Sequence, residues 1–295
     1  MNDDDMIDAL EATGDYRVLR HLQPKSRYNE PDGTETKVAI FLDLETTGLD
    51  PIKDEIIEIA MVPFEFSSDG RIFDVHPAYN ELQEPKSGVV PEEITRITGI
   101  TTEMVRGKTI DPAKVAEIAS PAALIIAHNA SFDRKFAENA FDVFSTKAWA
   151  CSMTQISWKA EHFDGTKLEY LAMKSGFFYD GHRAAIDCHA AIELLSRPLP
   201  ASGKLALQTL LEEARQPTCR VWADGSPFDL KDTLKARGYR WNDGTDGNPR
   251  SWYRDVGEGD LDEELSYLRK EIFQRDVDIP IVKISVFDRF SDRVC

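Results

Sequence analysis

Apolar residues run almost unbroken from Val38 to Leu44, interrupted by Asp43, and the run gives way to Glu45-Thr46-Thr47-Gly48. A short run of this kind reads as a buried strand. Two further strand-like runs cover 56–66 and 71–79, joined by the turn Ser67-Ser68-Asp69-Gly70, and the three together predict a meander. Helical spacing follows at 91–98 and 113–119, then an apolar run at 122–127, then helices at about 133–141, 167–175 and 184–196. Three strands followed by alternating helix and strand predict an α/β fold, a mixed sheet with helices on both faces.

The two ends of the chain read differently from this middle. Residues 1–36 are polar apart from apolar stretches at 6–10 and 16–22, expected as one or two short helices, with a linker over 24–36. Residues 198–203 read as a second linker, and 205–215 as a helix. After Pro217 the pattern is strand (218–223), helix (228–237), strand (239–242), a turn over 242–249, strand (250–256), helix (260–274) and strand (281–287). That order, βαββαβ, predicts a small α+β module of ferredoxin-like type. The expected organisation is therefore an N-terminal extension over 1–36, a main domain over 37–198, a linker and helix over 199–216, and an accessory domain over 217–295.

Composition narrows the class. The chain has 295 residues, 42% of them hydrophobic, enough for a full core and a second smaller unit. No apolar run approaches the length of a membrane span, and the acidic start Met1-Asn2-Asp3-Asp4-Asp5 does not have the profile of a secretion signal. Cys151, Cys188, Cys219 and Cys295 form no CxxC pair and no cluster, which argues against a disulfide framework or zinc finger. A reduced, cytoplasmic location without membrane attachment is expected. The net charge of −17 argues against a tight grip along duplex nucleic acid, but leaves room for a salt-sensitive grip on a strand end.

Chemistry enters at the end of the first strand. Strand side chains alternate, so Asp43 and Glu45 point to one side while Leu42 and Leu44 point to the other. Two carboxylates pressed together beside a core need a cation or partner, and their oxygens suit hard divalent metals. In Leu124-Ile125-Ile126-Ala127-His128-Asn129-Ala130-Ser131-Phe132-Asp133 a strand ends at a polar turn, which puts Asp133 at the sheet edge where α/β folds bind ligands. In Gly181-His182-Arg183-Ala184-Ala185-Ile186-Asp187, the aspartate lies in the first turn of the last helix of the main domain and His182 in the loop before it. Alone, Asp187 could simply answer the helix dipole.

Asp43-x-Glu45-Thr46-Thr47-Gly48, Asn129-x-x-Phe132-Asp133 and His182-x-x-x-x-Asp187 together resemble the three exonuclease motifs of the DEDD 3'–5' exonuclease superfamily. The resemblance is to its histidine-bearing branch (DEDDh), which includes bacterial proofreading-type exonucleases similar to the DNA polymerase III epsilon subunit. It covers roughly 37–198 and implies a ribonuclease-H-like fold. It also implies that Asp43, Glu45, Asp133 and Asp187 hold two divalent cations, Mg²⁺ or Mn²⁺, in a clamp for in-line displacement at phosphorus. His182 would be the general base, a role suited to an imidazole of unperturbed pKa about 6.5. By motif position, Thr46, Gly48, Leu49, Asn129 and Phe132 would lie near the terminal nucleotide; ordinary packing beside a turn is the competing reading for Leu49 and Phe132, and shaping the turn for Asn129.

The implied substrate is a nucleic-acid 3' end, single-stranded or frayed, with DNA favoured over RNA and nucleoside 5'-monophosphate as product. A polymerase or repair complex is the implied partner. Two alternatives stand beside it: a short-RNA exoribonuclease of the same superfamily, and a non-catalytic nucleic-acid-binding or scaffold protein, for which a lost acidic ligand or histidine would be the sign. In the accessory domain, Arg220 with Trp222, and Arg250 with Trp252 and Arg254, could stack bases on an open sheet face or fill a core.

Overall fold

The computed structural model describes residues 3–245 and 247–293. Met1, Asn2, Asp246, Val294 and Cys295 lie outside the described residues, which takes Cys295, part of the acidic start and one position of the 242–249 turn out of view. From the N-terminus, α1 (Asp3–Glu11) and the two-residue β1 (Arg20–His21) precede β2 (Thr36–Thr46), β3 (Ile56–Ser67), β4 (Ile72–Val75) and β5 (Tyr79–Leu82). Helices α2 (Glu92–Thr98), α3 (Thr102–Val105) and α4 (Pro112–Ala119) lead to β6 (Leu124–Ala127), α5 (Ala130–Ala140), β7 (Trp149–Cys151) and α6 (Leu168–Lys174). Then come β8 (Phe177–Phe178), α7 (Ala184–Leu195) and α8 (Ala206–Ala214). Among the described residues no helix is long and apolar enough to cross a membrane.

The central sheet runs β4-β3-β2-β6-β7, with β5 also paired to β3. Strands β2 to β5 pair antiparallel, while β6 and β7 run parallel to β2, so the sheet is mixed as expected. Both faces are covered. Ala39 and Phe41 of β2 pack with α6, α7 and α8, whereas Ile40, Leu42 and Leu44 pack with α4 and α5. Burial on both sides is why β2 reads as a continuous apolar run rather than an alternating one. Small residues bring α7 close to the sheet: Cys188 Sγ lies 3.5 Å from the Phe41 carbonyl, so Asp187 one residue earlier starts beside the end of β2.

Two expectations change here, the 16–22 stretch and the start of α5. The 16–22 stretch is not helical: Arg20–His21 pairs in parallel with Phe177–Phe178, so its apolar residues serve a strand edge. The helix expected over 205–215 forms as α8, and its Ala206, Leu207, Leu210, Leu211 and Ala214 are buried in the same core as α7. The strand expected to end at the polar turn is β6, while α5 begins at Ala130 rather than at about Asp133.

The C-terminal module has the expected βαββαβ order, in β9 (Thr218–Trp222), α9 (Lys231–Ala236), β10 (Arg240–Trp241), β11 (Trp252–Gly257), α10 (Leu261–Tyr267) and β12 (Ile281–Ile284). Its antiparallel sheet runs β10-β11-β9-β12. Cys219, Val221 and Val256 face its helices. Arg220 and Trp222 do share the opposite face, with Tyr253 and Asp255 beside them, but that face is not an open stacking platform. Both are buried, Arg220 is paired to Asp255 at 2.8 Å, and the face turns toward Ser131 and Lys135 of α5 across a narrow crevice. Arg254 points the other way and pairs with Glu264 of α10 at 2.6 Å.

The chain after β12 returns to the main sheet. The Trp149 N–H donates to the Val286 carbonyl at 3.1 Å. The fully buried Arg134 donates to the carbonyls of Phe287 and Arg289, and Arg289 in turn donates to those of Ala214 and Gln216. Residues 285–293 thus clasp α5, the helix that carries Asp133.

Candidate active site

Four carboxylates meet where β2, α5 and α7 converge. Asp43 and Glu45, two residues apart on β2, project to one side as the alternation predicts, and Asp187 enters from the first turn of α7. Oxygen atoms of these three lie within 4.8 Å of one another. Asp133, in the first turn of α5, is 3% exposed and is the charge that bears most on Asp43. Backbone N–H groups of Leu44 and of its own residue hold its carboxylate. Asp187 accepts the Arg183 N–H at 3.1 Å, the N-terminal interaction expected for a carboxylate in a first turn.

Crowding shows in the protonation of these groups. Burial, then the charges of Asp133, Asp187 and Glu45, push Asp43 well above the ordinary carboxylate range. Burial and the neighbouring carboxylates push Glu45 up to about 8, and burial pushes Asp133 up to about 7. Asp187 is also raised by burial, against the Arg183 N–H. Four acids that each resist ionisation, with oxygen as the only donor type, match what a hard divalent cation requires.

A carboxyl raised in this way holds its proton more tightly folded than unfolded. Its contribution to stability is therefore complete below about pH 4 and is lost as pH climbs through the folded values near 7 and 8. Metal-free protein should show a melting temperature that falls steadily from pH 5 to pH 8.5, each kcal/mol amounting to ~2–4 °C for a domain of this size. Added Mn²⁺ should raise the melting point more at pH 8 than at pH 6, since its ligands must lose protons. Thermal melts in chelator and in Mn²⁺ across that range check both slopes, and a metal-free melting point that rises with pH would contradict this account.

His182 stands at the rim. Its φ of 64° is in the left-handed region, unusual for a residue with a side chain, and its ring is half exposed with Nε2 3.8 Å from Glu169 of α6. A Cβ on Gly181 before it would lie 2.7 Å from the Glu169 carboxylate, which would have to move aside. The β2 turn is more constrained, because the Asp54 carboxylate beside it is held by the Asp50 N–H and Thr47. Thr46 Oγ1 donates to the Gly48 carbonyl at 2.6 Å, and a Cβ on Gly48 would fall 2.4 Å from the Asp54 carboxylate. Leu49, next in the chain, is 83% exposed, more than core packing explains. Asn129 shapes the turn into α5: its carbonyl accepts the Phe132 N–H at 2.7 Å and its side chain accepts from Ser131. Phe132 packs on Phe136 with ring centroids 4.9 Å apart.

The sequence reading did not single out Glu58 or Arg183. Glu58 on β3 is opposite Glu45 in the ladder and fully buried, and it accepts from Asn80 Nδ2 (2.9 Å), Arg183 Nη2 (3.1 Å) and the Ala184 N–H (3.2 Å). The signal was present: one acid inside the apolar run Ile56-Ile57-Glu58-Ile59-Ala60 must have a built partner set. His128 is structural, bonded to Ser152 and to the Thr166 carbonyl.

Comparison with known proteins agrees with this geometry. The exonuclease family model RNase_T matches residues 40–195, more than half of the chain. DNA polymerase III PolC-type of Thermotoga petrophila is 28% identical over 221 residues, covering 70% of this chain and 15% of that protein. The PolC-type polymerase of Listeria welshimeri is 30% identical over 177 residues, covering 57% and 12%. The chain thus spans only a small part of the curated relatives it matches. Among solved structures, Exonuclease I of E. coli in complex with a dA16 oligonucleotide is 17% identical with a TM-score of 0.51, covering 75% of this chain and 63% of that one, a likeness of fold. The matched segment contains all four carboxylates and His182, and the chain belongs to the RNase_T exonuclease family of the DEDD superfamily.

Proposed function

We propose that this protein is a metal-dependent 3'–5' exonuclease that removes nucleoside 5'-monophosphates from single-stranded or frayed 3' ends, DNA in preference to RNA. The observation that carries the reading is the convergence of Asp43, Glu45 and Asp187 on one partly buried point, with the buried Asp133 beside them. Asp43, Glu45 and Asp187 would hold divalent cations, Mg²⁺ or Mn²⁺, with Asp133 beside them as the second ion's partner. When bound, such ions supply an acidified water and neutralise charge at the phosphate. His182, half exposed at the rim, takes the proton from the attacking water. Leu49 and the Thr46–Gly48 turn meet the terminal nucleotide, with Phe132 behind them. The preference for DNA is supported by relatives named as DNA polymerases and by a fold neighbour solved with a dA16 strand. On this reading residues 217–295 form an accessory domain, and the enzyme works beside a polymerase or repair machinery.

The test is a time course on 5'-labelled single strands of DNA and RNA of equal sequence, in Mg²⁺, in Mn²⁺ and in chelator. The expected result is a ladder shortening from the 3' end, dependent on metal and faster on DNA. Strands left intact in every metal would favour the scaffold reading, and faster loss of short RNA the exoribonuclease one.

A further inference from the structure

Arg183 is held at two points. Its backbone N–H is bonded to the Asp187 carboxylate, and its guanidinium is bonded through Nη2 to the buried Glu58. The rest of the side chain is open: it is 45% exposed, and among the described residues Nε and Nη1 make no hydrogen bond to the protein. It is also close enough to Glu45 to offset part of that carboxylate's crowding, so it stands over the site rather than away from it.

A fully buried carboxylate costs several kcal/mol unless its partners are fixed. Glu58 has three, of which one is this arginine. A guanidinium anchored on one nitrogen and open on the others presents a preset fork, the geometry that pairs with phosphate oxygens. The carboxylates beside it would repel a polyanion, so a positive group at this point has a use. We propose that Arg183 binds a phosphate oxygen of the terminal dinucleotide and that Glu58 is the positioning residue that aims it. This rests on the exonuclease reading and adds to it a residue for strand-end binding.

The experiment is steady-state hydrolysis of a 5'-labelled oligothymidylate at saturating Mn²⁺ by wild type, R183A, R183K and E58Q, with calorimetric Mn²⁺ titration of each without DNA. R183A should raise KM by about 10–100-fold, the loss of one charge-assisted hydrogen-bonded contact, with Mn²⁺ affinity retained. R183K should fall between, because an ammonium cannot fork, and E58Q should raise KM in the same direction by less. The dependence of log KM on log salt should flatten by about 0.7 in R183A, one phosphate contact fewer on a single strand. Should R183A fail to fold, R183K and E58Q carry the same comparison. Unchanged KM in the arginine variants, or a KM change matched by weaker Mn²⁺ binding, overturns the assignment. A wild-type protein that degrades no strand overturns both it and the exonuclease reading.

Discussion

Asp43→Asn should abolish hydrolysis and, in the absence of metal, make the protein more stable than wild type at pH 8. The two effects have one cause. Asp43 is crowded by Asp133, Asp187 and Glu45, and each of those charges raises the cost of ionising it. An amide of the same shape cannot ionise, so it removes that repulsion as pH rises through the range where the neighbouring carboxylates lose their protons. The same change removes a ligand from the centre of the cluster, so cations no longer assemble there. With ~4 kcal/mol or more of transition-state stabilisation gone, kcat should drop by about 10³-fold or more. Melts in chelator at pH 8, melts with Mn²⁺, and a strand-shortening assay read the three consequences. Asparagine here should give a higher metal-free melting point, no Mn²⁺ shift and no ladder. A variant less stable than wild type in chelator would mean that the carboxylate is held by partners rather than crowded by neighbours.

The sequence carried the site further than it carried its surroundings. Alternation along β2 was enough to put Asp43 and Glu45 on one side, because a strand has only two sides and Leu42 and Leu44 claim the other. The order βαββαβ after residue 217 could be read because Gly- and Pro-bearing turns separate its elements clearly. What could not be read were contacts between distant segments. Arg220 and Trp222 share a face, but that the face is covered depends on where the module docks on α5. The burial of α8 depends on a core built from residues 100 and more positions earlier, such as Phe41 and Phe64. The strand at Arg20–His21 exists only because Phe177–Phe178 offers an edge. Glu58 shows the same limit at the site itself: the apolar run marks it as a buried acid, but its pairing with Arg183 spans 125 positions of chain.

His182→Ala should separate chemistry from binding, where Asp43→Asn removes both. The His182 ring is half exposed and stands 3.8 Å from Glu169, while its backbone N–H reaches the Asp187 carboxylate, a contact that a side-chain substitution leaves in place. Its left-handed backbone is a strained conformation that alanine tolerates no better, so His182→Asn, which accepts that region more readily, is the companion variant. Both should bind Mn²⁺ and single-stranded DNA as wild type does, because the carboxylates proposed to meet the cations come from β2, α5 and α7 rather than from this loop. Both should lose about 10²–10⁴-fold in kcat, the usual contribution of a positioned base. The pH profile supplies the sharper criterion. Hydroxide in solution can replace a missing base, so the variants' rate should go on climbing with pH where the wild-type rate has levelled. Calorimetric Mn²⁺ titration together with single-turnover rates from pH 6 to 9 makes the comparison. Variants with weakened Mn²⁺ binding, or with a pH profile parallel to wild type, would show that this loop holds the metal site in place and that the proton leaves by another group.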